Sequence, residues 1–322
     1  MFLFIKLIRI QNLLIIAFTQ YVIRWCVIYP ILKAHNISYS LQLDELHFFL
    51  LVLSTVMVAA AGYIINDYFD VRIDKINKPQ RLVIDKGIKR RVAMGAHTVI
   101  NILAILIASY LAYSIGSWRL ALIHFMCASG LWFYSTTFKR QLLIGNIVIA
   151  SFTAMVPLIV AIYEVLPAYK AYAPMEENLS FKPIWNVIFA ISFFAFLTTL
   201  IREIIKDIED FEGDIEYGCN TLPIVIGKKY TKLIVILISL LTIFCLLYLQ
   251  ILQWKHNQLT DFYYFTIAFQ LPFCYLIYKT ATGISKKDFH IASNTLKFIM
   301  LMGICYLFIY AQFILSHIHA IE

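Results

Sequence analysis

Residues 46–74 read LHFFLLVLSTVMVAAAGYIINDYFDVRID. The first two-thirds is an uninterrupted apolar run, long enough to cross a bilayer, which takes roughly 20 residues. Its end carries Asp67, Asp70 and Asp74. On a helix the spacing i, i+3, i+7 places three carboxylates within an arc of about 60° on one face. Like charges repel, and a helix C-terminus already carries negative partial charge. Such a face needs cations to hold it.

The same arrangement occurs once more. Residues 206–214 read KDIEDFEGD, with Asp207, Asp210 and Asp214 at the same spacing after a second apolar run at 184–203. Gly213 interrupts the last turn of this copy and loosens the position of Asp214. Neither segment follows the order of an EF-hand loop. Side chains that can neutralise these acids lie close by: Arg72, Lys75, Arg202 and Lys206. The other candidate is a divalent cation. Mg²⁺ takes oxygen ligands and is commonly bound through one or two carboxylates together with substrate phosphates. Two facing acidic clusters therefore suit a metal-bridged diphosphate.

The rest of the chain is built for a membrane. Of 322 residues, 61% are hydrophobic and 14% charged, against about a quarter charged in a soluble domain. Apolar runs predict an all-α polytopic membrane protein of nine spans, at about 10–32, 46–68, 93–115, 118–136, 143–163, 184–203, 231–253, 262–279 and 295–315, forming one domain over 1–322. The opening MFLFIKLIRIQNLLIIAF imitates a signal peptide, but Arg9, Gln11 and Asn12 interrupt it and no small-x-small cleavage site follows. It is read as a retained first helix. The six cysteines show no metal-ligand spacing, and His317 and His319 are read as a solvated tail. Nothing points to nucleic acid.

With nine spans, 21 of the 27 Lys and Arg residues fall on one side. That side is cytoplasmic by the positive-inside rule, with the N-terminus inside and the C-terminus outside. Both acidic helix ends lie on it. Acids at helix ends disfavour a cation transporter, whose acids belong near the midplane.

These motifs resemble the UbiA-type intramembrane prenyltransferase family. Its NDxxDxxxD motif is matched by Asn66, Asp67, Asp70 and Asp74, and its NKPxRP continuation by 77–82, with Leu82 in place of the final proline. Asp207, Asp210 and Asp214 match the second motif, followed by the similar Thr221-Leu222-Pro223 and Gly227. Arg9 with Asn12, and 134–140 (YSTTFKR), are smaller matches. The resemblance implies a helical bundle around a central cavity with a cytoplasmic cap. It also implies an Mg²⁺-dependent transfer of a prenyl group from its diphosphate. Asp67, Asp70, Asp207 and Asp210 would hold the metal, with Asp74 and Asp214 as further ligands or orienters. Asn66, Arg72, Arg81, Lys139, Arg202 and Lys206 would meet the phosphates, Arg9 and Asn12 the acceptor, and Tyr134 the reacting region. Residues 202–214 are most similar to the branch that geranylgeranylates a lipid-like glycerol phosphate acceptor; the alternative is an aromatic acceptor, as in quinone biosynthesis. Membrane lipid is the remaining expected partner.

Overall fold

The computed structural model describes residues 2–80, 82–176 and 179–319. Arg81 and the side chains of His317 and His319 lie outside the described residues. The described chain is helical apart from turns and one isolated bridge, Ile84 to Ile88. In chain order the helices are α1 (Phe2–Leu7), α2 (Ile10–His35), α3 (Glu45–Asn77), α4 (Arg90–Ser114), α5 (Ala121–Thr136), α6 (Ile144–Tyr172), α7 (Lys182–Glu209), α8 (Phe211–Glu216), α9 (Leu222–Val225), α10 (Gly227–Lys255), α11 (259–282) and α12 (Lys286–His319).

Seven of these, α2, α3, α4, α6, α7, α10 and α12, are long and apolar enough to cross a membrane. Nine spans were expected. The other two regions are helical but fall outside that set. α5 has only 16 residues, and α11 is diluted by Asp261, Tyr263, Tyr264, Gln270 and Pro272.

Prolines shape two of the rods. α2 widens at Ile23–Ile28, where the Tyr29 N–H reaches back to the Arg24 carbonyl, just before Pro30. α11 does the same at Thr266–Gln270 before Pro272. Proline has no N–H and clashes with the preceding turn, and a wider turn absorbs both defects. Pro167, expected to end a helix near residue 163, lies inside α6, which continues to Tyr172. Spanning helices tolerate proline where neighbouring elements re-satisfy the freed backbone groups.

Two apolar cores hold the bundle. One gathers α2, α3, α6, α7 and α12 around Ile28, Phe48, Leu51, Tyr163 and Ile184. The other joins α7, α10, α11 and α12 around Ile201, Ile204, Ile205, Phe273 and Leu296. Within the first, Arg24 is 1% exposed and lies 3.0 Å from Glu164, which is fully buried. Glu164 also accepts from the backbone N–H of Gln42 (2.8 Å) and Leu43 (3.2 Å), while Arg24 donates to the Leu43 carbonyl. This pair pins the α2–α3 loop to α6 at the end of the bundle opposite the acidic motifs. α3 starts beside it, with the Asp44 carboxylate accepting from the His47 N–H at 2.7 Å, the usual way an N-cap satisfies an orphan donor.

Candidate functional site

The six motif aspartates line one cavity of about 1320 Å³. Asn66, Lys139, Arg202, Lys206, Arg9, Asn12 and Tyr134 line it too. Arg72 does not. It is exposed and absent from the cavity wall, because two residues at about 100° each turn it some 200° away from Asp70. Tyr68 and Phe69 also point elsewhere: Tyr68 stacks under Arg90 (4.6 Å) and Phe69 against Trp132 (5.9 Å).

The first triplet is held as spacing implies. α3 runs unbroken to Asn77, so Asp67, Asp70 and Asp74 share its inward face. The second is not. α7 stops at Glu209, Asp210 leaves the helical range (φ −94°, ψ 8°), and α8 begins at Phe211. Asp214 therefore reaches the cavity from a separate short helix. The break is stabilised from α3: Asn77 Nδ2 donates to the Asp210 carbonyl at 2.9 Å, and its Oδ1 accepts from the Gly213 N–H at 3.1 Å. One amide thus satisfies two backbone groups that the break exposes.

Four of the six acids, Asp67, Asp70, Asp207 and Asp210, each have their own partner. Asp67 pairs with Arg9 at 2.6 Å. Arg9 sits in the left-handed region (φ 53°, ψ 55°) between α1 and α2, and its guanidinium lies over Tyr63 at 4.9 Å. That conformation costs a non-glycine residue about 1–2 kcal/mol, offset here by the charge-assisted bond. Asn12 donates to Tyr63 Oη at 3.3 Å. Asp70 accepts from Asn66 Nδ2 at 2.8 Å and from Lys139 Nζ, which also reaches Asn66 Oδ1 at 3.2 Å. Lys139 sits in a tight turn, Phe138–Arg140, pressed on the start of α6. A Cβ on Gly145 would lie 2.9 Å from the Phe138 carbonyl and the Lys139 Cα, so glycine permits that approach. Lys78 Nζ binds Asp210 Oδ2 at 2.5 Å, and Asn146 Nδ2 donates to Asp207 Oδ2 at 2.8 Å. On α7, Glu203 takes both Arg202 (3.0 Å) and Lys206 (2.9 Å).

Charge state follows from these contacts. Burial would lower the Lys139 pKa, but Asp70, then Tyr134 and Asp74, outweigh it and raise it, so Lys139 stays an ammonium. Asp214 is pushed up to about 6, by burial first and then by the charge of Asp210, although Lys139 and Lys78 oppose this. A carboxylate in this state gains from an added cation.

Among the described residues no three Asp, Glu, His or Cys side chains converge into a protein-only metal cage. The donor set instead fits a hard cation shared with a ligand. All six acids offer oxygens to one cavity, and Asp210 Oδ1 is buried without a hydrogen-bond partner. Mg²⁺ is bound in this way, by few carboxylates completed by phosphate oxygens.

Several of these residues escaped sequence reasoning. Asn77 and Lys78 stood in the quoted NKP continuation without a role. Asn146 offered a signal, a lone amide in an otherwise apolar span. Glu203 looked like one more charge in a mixed run. The small residues 59–62 divide their work: Ala59 and Gly62 face the cavity, and Ala60 and Ala61 are buried in helix packing.

Comparison with known proteins agrees with this architecture. A model of the UbiA prenyltransferase family matches residues 27–294. The chain is 34% identical over 202 residues to digeranylgeranylglyceryl phosphate synthase of Thermococcus kodakarensis, covering 62% of this chain and 65% of that one, just under two-thirds of its length. It is 27% identical over 270 residues to the protein of the same name from Methanosphaera stadtmanae, covering 84% and 87%. Among solved structures, one from work on digeranylgeranylglyceryl phosphate synthase in membranes aligns with TM-score 0.60 at 24% identity over 96% of this chain and 97% of that one. A UbiA homologue from Archaeoglobus fulgidus bound to GPP and Mg²⁺ aligns with TM-score 0.61 at 16% identity, over 96% and 99%. At these identities the two structures speak for the fold.

Proposed function

The chain belongs to the UbiA prenyltransferase family, and from that premise we propose that it transfers a geranylgeranyl group from its diphosphate to the hydroxyl of a prenylated glycerol phosphate, with Mg²⁺ as cofactor. The observation that carries this reading is the meeting of both acidic motifs on a single cavity whose deeper walls are apolar. A polar mouth suits a diphosphate, and an apolar interior suits a prenyl chain. The cavity exceeds the roughly 300–1,000 Å³ of an ordinary small-molecule site, in keeping with two long substrates. The glycerol phosphate acceptor is supported by relatives named for that product.

In this reading Asp67, Asp70, Asp207 and Asp210 hold the metal, and Asp74 and Asp214 serve as further oxygen donors. The bound cation neutralises charge as the diphosphate departs. The chain's own residues do the rest. Lys139, Arg9 and Lys78 fix the carboxylates in place. The carbon–oxygen bond to diphosphate breaks, the electron pair leaves with the diphosphate, and the acceptor oxygen bonds to the allylic carbon while its hydroxyl proton passes to the departing diphosphate. Apolar and aromatic walls, including Tyr134, Phe152 and Phe194, keep water from that carbon. The concentration of Lys and Arg at the motif end supports a mouth open to the cytoplasm.

The test is direct. Purified protein in vesicles is given Mg²⁺, geranylgeranyl diphosphate and a panel of glycerol phosphate and aromatic acceptors, and the products are read by mass spectrometry. Diether formation is the expected result. Prenylation of an aromatic acceptor alone would replace this reading with the quinone-type one.

A further inference from the structure

α7 and α12 run antiparallel along one wall of the cavity, and their register is set at two points. At the motif end His290 Nδ1 meets Glu209 Oε1 at 3.1 Å. Deeper, Gly303 packs on Phe194, whose ring edge lies 3.4 Å from where a Cβ would stand. Counting between these points brings Ser293 level with Lys206, and Lys297 level with Arg202. All four line the cavity or its immediate wall.

This register brings Lys297 of α12 level with Arg202, Glu203 and Lys206 of α7. Glu203 divides its single charge between Arg202 at 3.0 Å and Lys206 at 2.9 Å. Arg202 Nε is buried and makes no hydrogen bond. Lys297 donates to Asn294 Oδ1 at 3.3 Å, and the Ser293 side chain is buried beside it. Positive-inside counting puts Lys297 among the cytoplasmic charges, at the start of the last span. The structure places it eleven residues into α12, about 16 Å along the helix. It follows a polar stretch of α12 that includes His290, Ser293 and Asn294, and it lines the cavity. Arg9 holds Asp67 from the junction of α1 and α2, and Lys139 holds Asp70 from the turn before α6.

We propose that Arg202, Lys206 and Lys297 form a second anion site, for the phosphomonoester of the acceptor, and that this site sets the preference for a phosphorylated over a neutral alcohol. The inference rests on the glycerol phosphate reading above and adds where that phosphate binds. Arg offers a planar donor fork and the two lysines point charges, a suitable set for a terminal phosphate with three oxygens. Glu203 orients two of the three.

The experiment compares two acceptors in vesicles containing geranylgeranyl diphosphate: geranylgeranylglycerol phosphate and geranylgeranylglycerol. Wild type is expected to favour the phosphorylated one. Lys297→Met should lower kcat/KM for it by about tenfold to a hundredfold, the range of a charge-assisted hydrogen bond, and do so through the acceptor KM. The donor KM should move less than twofold, which also reports an intact fold, and Lys297→Arg should restore most of the loss. If wild type prefers the phosphorylated acceptor and Lys297→Met leaves that preference unchanged, or raises the donor KM equally, the second anion site is overturned while the proposed function stands. If wild type uses neither glycerol acceptor and prenylates an aromatic one, both fall together.

Discussion

Gly213 and Asn77 are in direct contact across the two acidic motifs: the glycine N–H donates to Asn77 Oδ1 at 3.1 Å, and a Cβ at position 213 would lie 2.5 Å from Asn77 Nδ2. Gly213 lies inside the short helix α8 at an ordinary helical φ, so alanine there meets a steric obstacle and no backbone strain. Gly213→Ala should cost about 1–3 kcal/mol as overpacking. Asn77→Ala should also destabilise, by stranding the Gly213 N–H and leaving the Asp210 carbonyl with the Asp214 N–H alone. In the Asn77→Ala background the added methyl has room, so the double variant should be more stable than the sum of the singles predicts. Denaturant unfolding in detergent measures the coupling, and strict additivity would exclude the contact as the reason for the glycine.

Asp67→Asn and Asp207→Asn keep the shape of each side chain and remove its charge. Each should lower Mg²⁺-dependent diphosphate release by at least about a hundredfold, the scale of losing a group that stabilises developing charge. Chelation of Mg²⁺ should stop the wild type and its return should restore turnover. Normal release of diphosphate by either variant would remove the motifs from the chemistry.

Arg24 and Glu164 make the opposite kind of demand. Arg24→Met leaves the fully buried Glu164 without its cation and should cost about 3–5 kcal/mol. Adding Glu164→Leu should recover part of this. It should not recover all, because the Gln42 and Leu43 N–H groups lose their acceptor. Thermal unfolding of the three variants tests the order. A double variant less stable than Arg24→Met would show that the ion pair is secondary to the backbone contacts.

Tyr39 Oη donates to Glu176 Oε2 at 2.5 Å outside the spanning segments. The bond holds the Glu176 pKa below its ordinary 4.5 and pushes Tyr39 up to about 12. The carboxylate's contribution is therefore complete above 4.5 and disappears as pH falls through the depressed value. The phenol's is complete below 10 and disappears as pH rises through about 12. Tyr39→Phe should lower stability on the plateau between these limits, with the difference from wild type shrinking toward both acid and alkali. A difference in melting temperature from wild type that stays flat from acid to alkali would contradict this.

Much of the site was legible before any coordinates, because its signals were local. Asp67, Asp70 and Asp74 announce one face through spacing alone, and α3 keeps that face to Asn77. The second triplet defeated the same argument at Asp210, where a tertiary contact from Asn77 makes a helix break affordable. Arg72 was misplaced because counting charge says which side of a membrane a residue takes and nothing about helical phase. Asn146 and Lys78 are partners by tertiary packing, brought to Asp207 and Asp210 from 61 and 132 residues away. Lys297 counts in the sequence only as a charge near the start of the last span, placed at 295; the helix begins nine residues earlier, at Lys286.

One face of α7 lines the cavity from Asn186 to Asp207, about 31 Å of helix against a hydrocarbon thickness of about 30 Å. The opposite face carries Ile201, Ile204, Ile205 and Ile208 in the apolar core. Selection can therefore act on the two faces separately. Ala190 and Ala195, which line the cavity and are not buried in either core, are positions where a lineage can drift toward shorter, longer or differently branched chains with little penalty to folding. The isoleucines behind them carry the bundle through that change. A single helix of this kind separates the choice of chain from the stability of the bundle.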